Sequence, residues 1–163
     1  MKWSVREIVA GAAVLSLSSL AVAQMGMGSG MGPGMMRGPH GPPGVSIARH
    51  RYVMARGIPQ PYRRARNPLR GAAADIATGK ALYEQDCASC HGTTGRGDGP
   101  VARGLNPVPS DLGATVHMPI ATDAYLDWTI SEGGVPIESP MPSFKASLSP
   151  EQIWRVVLYI RTL

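Results

Sequence analysis

The sequence predicts an all-α domain of three to four helices packed around something other than polypeptide. Three observations carry this. Three segments between residues 75 and 163 have helical spacing and helix-end signals, and no segment alternates as a strand would. The last of them is apolar almost all round, so it must be covered on more than one side. The chain holds a single phenylalanine, and a domain of about 90 residues with so little core needs another filler.

The elements follow in chain order. Residues 1–23 read as a signal peptide: Lys2 and Arg6, an apolar run from Ile8 to Leu20, then the small residues Ala21-Val22-Ala23, with cleavage expected after Ala23. The alternative is an uncleaved anchor, but the run is shorter than the ~18–20 residues of a spanning helix. Export implies the periplasm. Residues 24–44 are rich in Met, Gly and Pro and cannot bury a core, so they read as a disordered linker. Met25, Met27, Met31, Met35 and Met36, with His40, are soft ligands that suit Cu(I); against that stands a plain tether.

Residues 45–74 read as a basic arm. A short helix fits 45–56, before Gly57 and Pro59; an extended stretch follows, with Tyr62 and Leu69 as anchors on the domain surface. From Gln24 to Ala74 there are eight arginines and no carboxylate, whereas residues 75–163 sum to −4. The arm therefore suits contact with a membrane surface, an acidic partner or the acidic domain itself, and an exported chain has no use for nucleic acid. Residues 75–163 form the folded unit in this reading, and a chain beginning at Pro61 is expected to keep native stability.

Within that unit, Asp75–Asp86 reads as a helix leading into a cysteine motif. Glycines and prolines from Gly92 to Leu112 break any period and give a loop. Asp123–Glu132 is a middle helix stopped by Gly133. Ser149–Leu163 is the clearest helix, with Ser149 as N-cap, Pro150 at the first position and Gln152 at the reciprocal capping position.

The motif is Cys87-Ala88-Ser89-Cys90-His91. Two thiols three residues apart reach the two vinyl groups of one porphyrin, and the next residue places an imidazole nitrogen on the iron. C-x-x-C-H is thus a signature of covalent haem attachment, with one haem c bound through Cys87 and Cys90. A thioredoxin-like pair needs a βαβ setting, and a zinc site needs two further ligands where only His117 lies downstream. The second axial position has three candidates: Met141, Met118 and His117. Met141 is favoured because Pro140 and Pro142 stiffen the loop that carries it.

From Asp75 to Leu163 the chain resembles a class I monohaem cytochrome c of the bacterial periplasmic type. Gly79 and Tyr83, eight and four residues before Cys87, match the small and aromatic positions where the family's first helix crosses its last; Val156 and Tyr159 match the reciprocal contact. Gly97-Asp98-Gly99-Pro100 through Leu112 resembles the family's loop, and Met141-Pro142-x-Phe144 its distal ligand segment. The resemblance implies a small cytochrome c fold. It also implies a proline carbonyl, from Pro107 or Pro109, that accepts the second N–H of the haem histidine.

With His91 and Met141 both on the iron no site is left open for substrate, so the expected function is one-electron transfer between periplasmic redox proteins. No paired carboxylates, Ser/His set or phosphate loop suggests an enzyme. The alternatives are an electron-transfer subunit of a larger oxidoreductase, a haem enzyme or gas sensor if Met141 leaves the iron open, and a copper-handling protein working through the Met-rich tract.

Overall fold

The structure is a computed structural model that describes residues 47–163. The segments read as signal peptide and Met-rich linker lie outside the described residues. Among the described residues there are six α-helices and no strand: α1 (Ile47–Arg56), α2 (Ala73–Asp86), α3 (Ala88–His91), α4 (Leu112–Val116), α5 (Asp123–Glu132) and α6 (Pro150–Ile160). None of them is long and apolar enough to cross a membrane.

The fold is organised by the crossing of α2 and α6. Gly79 is buried where the helices meet, and a Cβ there would collide with the Arg155 carbonyl. Only a residue without a side chain lets the two backbones come this close. One turn on, the Tyr83 and Tyr159 rings sit 5.1 Å apart at 55°. Val156 and Val157, at 1% and 0% exposure, complete the contact. Arg155 Nε donates to Asp75 Oδ1 at 3.0 Å and pins the start of α2 to the same helix.

Helix α6 begins on a complete capping box. The Gln152 N–H donates to Ser149 Oγ at 3.2 Å, and the Ser149 N–H donates to Gln152 Oε1 at 2.8 Å. Its apolar circumference is covered by α2 on one side and α5 on another. The chain leaves the helix at Arg161, whose Nη2 donates to Asp123 Oδ1 at 2.7 Å and ties it to the first turn of α5.

Helices α3 and α4 are single turns beyond the three helices expected. The α4 turn starts on Asp111, whose Oδ1 accepts the Ala114 N–H at 2.8 Å. That cap stood in the sequence, but a five-residue helix leaves too little period to read.

Helix α5 is buried on nearly every side, through Ala124, Tyr125, Leu126, Trp128, Ile130 and Ser131. The arm explains this. Tyr62 Oη donates to Glu132 Oε1 at 2.7 Å, the Asn67 N–H donates to Asp123 Oδ2 at 3.0 Å, and Leu69 packs on the core. Asn67 also reaches the Trp154 carbonyl of α6 at 3.1 Å. Tyr62 and Leu69 thus lie where the sequence expected anchors. Upstream of them lies a contact that the sequence did not indicate: α1 packs against α5, with Tyr52 stacked on Trp128 at 5.4 Å between centroids. The described residues of α1, Ile47–Arg56, therefore belong to the packed body. Charge hid this contact, since α1 is arginine-rich and an isolated basic helix looks solvated.

Candidate haem-binding site

The motif closes one helical turn. The Cys90 and His91 N–H groups donate to the Cys87 carbonyl at 3.1 and 2.9 Å, so the Cys90 thiol and the imidazole leave α3 itself and the Cys87 thiol leaves its N-cap. The loop after it returns to bind the motif's own backbone. Gly97 N–H donates to the His91 carbonyl at 2.8 Å, Gly99 N–H to Cys90 at 3.1 Å and Val101 N–H to Ser89 at 3.1 Å. Gly97 has φ +75° and lies against the Pro109 carbonyl, so a side chain there would be both strained and obstructed.

Cys87 and Cys90 are free, half-buried thiols. Burial first, then the neighbouring Asp86 and Cys90, pushes the Cys87 pKa up to about 12. A thioredoxin-like pair needs a thiol pKa pulled down to generate thiolate, so this setting opposes that rival reading.

The His91 ring is oriented through Nδ1, which lies 3.0 Å from the backbone carbonyl oxygen of Ser110. This corrects the assignment of that acceptor to Pro107 or Pro109. Both prolines line the cavity, but the Pro109 carbonyl lies against Gly97, and the Ser110 carbonyl is the one that meets the ring. The Nδ1–H donates to Ser110, which leaves Nε2 with the ring's lone pair. Burial lowers the His91 pKa, partly offset by the Ser110 contact, so the ring is suited to bind metal as neutral imidazole.

Cys87, Cys90 and His91 open onto a cavity of about 1050 Å³, counting the solvent-open space at its mouth. Its walls are mainly apolar. Leu126 and Ile130 come from α5, Val156 and Ile160 from α6, and Leu105 and Val108 from the glycine- and proline-rich loop. Met141 also lines this cavity, whereas Met118 and His117 do not.

The Met141 segment is tied to the last turn of α5. Gly134 N–H donates to the Met141 carbonyl at 2.7 Å, Phe144 N–H to Ile130 at 3.2 Å and Ser143 Oγ to Ser131 at 2.6 Å. The last two bonds satisfy α5 carbonyls that the helix end would otherwise leave open. Two further residues at the cavity escaped the sequence reading. Arg49 lines it from α1 and Thr129 from α5. Nothing in the sequence distinguishes Arg49 from the other arginines of the arm.

The donor set fits a haem: two thiols and an imidazole on one rigid turn, a thioether on the cavity wall, and an apolar interior. Comparison with known proteins agrees. Residues 74–160, just over half of the chain, match the family described as cytochrome c oxidase, cbb3-type, subunit III. Over 103 residues the chain is 32% identical to the quinohemoprotein alcohol dehydrogenase ADH IIB of Pseudomonas putida. That match covers 63% of this chain but only 13% of the relative. A chain of the reducing HAO-like protein complex of Kuenenia stuttgartiensis superposes with a TM-score of 0.51 at 30% identity, covering 58% of this chain and 46% of that one. The C-x-x-C-H turn, the cavity it opens on and the match across residues 74–160 lead to one conclusion: the chain belongs to the cytochrome c oxidase, cbb3-type, subunit III family of cytochrome c domains, which carry a covalently bound c-type haem.

Proposed function

We propose that the chain is a periplasmic electron carrier, a class I monohaem cytochrome c whose iron is ligated by His91 and Met141. The observation that carries the ligation is the shared cavity: of Met141, Met118 and His117, only Met141 lines the space onto which His91 opens. Bound there, haem supplies a one-electron Fe(III)/Fe(II) couple whose potential depends on axial ligands, burial and hydrogen bonding.

The chain's own residues do the rest. Cys87 and Cys90 hold the group by thioether bonds. The Ser110 carbonyl fixes the His91 ring and raises its basicity as a ligand. Gly134 and Ser143 hold the Met141 loop at the end of α5. Leu126, Ile130, Val156 and Ile160 exclude water and keep the local dielectric low. With both axial positions filled from the protein, the assignment includes no substrate site and no catalytic residue.

The comparisons favour a second reading, in which the same carrier serves as a fixed subunit of a larger oxidoreductase. The matched stretch is a small part of a long dehydrogenase in one relative, and the structural neighbour comes from a complex. Both readings take redox proteins as partners, and co-purification from periplasmic and membrane fractions separates them.

The ligation is tested by redox titration and visible spectra of Met141→Ala and Met118→Ala. Met141→Ala should lose the weak red-end band of the oxidised form, bind carbon monoxide when reduced and fall in potential. Axial ligation is a large lever within a span of roughly 0.8 V across haem proteins. Met118→Ala should change none of these. The reverse pattern would reassign the ligand.

A further inference from the structure

Arg49 is a buried charge that the carrier function leaves without a role. It sits on α1 with 5% of its surface exposed. Its Nη2 donates to the Gly133 carbonyl, and its guanidinium carbon lies 4.9 Å from the centroid of the Trp128 ring. These contacts orient the group but supply no negative charge. Its Nη1 is buried with no hydrogen-bond partner among the described residues. None of the ion pairs among those residues includes it. A guanidinium does not shed its proton to escape burial as a lysine can, so its charge is costly until an anion meets it.

A second orphan donor sits at the same cavity. Thr129 Oγ1 on α5 is also buried and without a partner among the described residues. Both residues line the space onto which Cys87, Cys90 and His91 open. The His50 ring has an unpartnered Nδ1 too, but it does not line the cavity. Two unsatisfied donors, one of them cationic, call for a ligand that brings oxygen acceptors and a negative charge. Haem has an apolar ring and two propionate carboxylates, so it brings what these donors lack.

We propose that Arg49 and Thr129 bind one haem propionate, with Arg49 as its counter-charge. This rests on the haem assignment and extends it to the arm. Arg49 lies outside residues 74–160, so the arm completes a site that the family domain alone leaves open. Arg49 is then a cofactor-binding residue.

The test is the pH profile of the midpoint potential in the full chain, wild type and Arg49→Gln, Arg49→Lys and Thr129→Val. Attached haem is read separately by staining on denaturing gels. The cavity's other titratable residues are Tyr83, Asp86, Cys87, Cys90, His91 and Tyr125. Asp86 is the one carboxyl side chain among them, so Arg49→Gln is also measured with Asp86→Asn.

Loss of an adjacent positive charge should raise the propionate pKa by about one to three units. Arg49→Gln should therefore show a lower potential at neutral pH and a pH-dependent segment that wild type shows only at lower pH. Arg49→Lys should restore most of the wild-type profile, and Thr129→Val should shift it in the same direction as Arg49→Gln but less. A purely structural Arg49 would lower the melting temperature and leave the profile in place. A profile for Arg49→Gln that superimposes on wild type, with haem attached, overturns the proposal. So does a pH-dependent segment that vanishes with Asp86→Asn. If Arg49→Gln does not fold, carbon-13 NMR of labelled haem in the wild type decides: one propionate should titrate below the ordinary carboxylate range, and two ordinary values refute the pairing. Absence of covalent haem in the wild type would instead sink the haem assignment itself.

Discussion

The arm and the domain reach the same cavity by opposite means. Helices α2 and α6 of the domain meet along a continuous apolar seam, close enough that Gly79 admits no side chain. The arm has no such seam. It is held by separate anchors: Tyr52 on Trp128, Tyr62 on Glu132, Asn67 on Asp123 and Trp154, and Leu69 on the core. Six of its seven described arginines are exposed and Arg49 is buried. A seam transmits any misfit along two helices, whereas anchors fail one at a time. The contrast predicts all-or-none losses in the domain and graded losses in the arm.

The largest effect should come from the motif. Cys87→Ala with Cys90→Ala should abolish covalent haem, and each single substitution should leave one thioether; haem staining of denatured protein checks this. A double variant that still stains would remove the basis for treating the domain as the haem carrier.

Next is the seam. Gly79→Val would force α2 and α6 apart, because its Cβ meets the Arg155 carbonyl and approaches the Tyr159 Cβ to 3.2 Å. Overpacking of this kind costs about 3 kcal/mol or more where backbone must move. Urea unfolding of the holoprotein should show a large fall in midpoint, and an unchanged midpoint would mean that the crossing is looser than described.

Truncation of the arm should cost less. A chain beginning at Pro61 loses α1 and uncovers Trp128, which is otherwise 1% exposed. Uncovering one large side chain costs about 2–3 kcal/mol, and covalent haem should survive. Equal stability of the truncated and full chains would make α1 a passive cover.

The smallest effect is electrostatic. Hydrogen bonds from Lys145 and then Tyr62 hold the Glu132 carboxyl below its ordinary value of 4.5. Its folded pKa is thus depressed, so its contribution is complete above pH 4.5 and fades as pH falls from there through the folded pKa. Glu132→Gln should therefore flatten the acid limb of the stability profile and leave the region above pH 6 nearly parallel to wild type. An unaltered acid limb would show that the Tyr62 anchor does not depend on the charge of Glu132.

Much of the domain was legible because its signals are local. The capping box at Ser149, the spacing of Cys87, Cys90 and His91, and the eight- and four-residue offsets of Gly79 and Tyr83 are all short-range patterns. The sequence by itself therefore determined an all-α domain, covalent haem chemistry, and Met141 as the favoured thioether. Only the tertiary structure decided which carbonyl meets His91, because Pro107, Pro109 and Ser110 all carry a backbone acceptor and only folding brings one of them to the ring. It also decided that Arg49, alone among the described arm arginines, is buried at the cavity. Burial of that side chain depends on Trp128 and Gly133, some eighty residues away. No spacing rule within the arm encodes a partner that folding alone brings within reach.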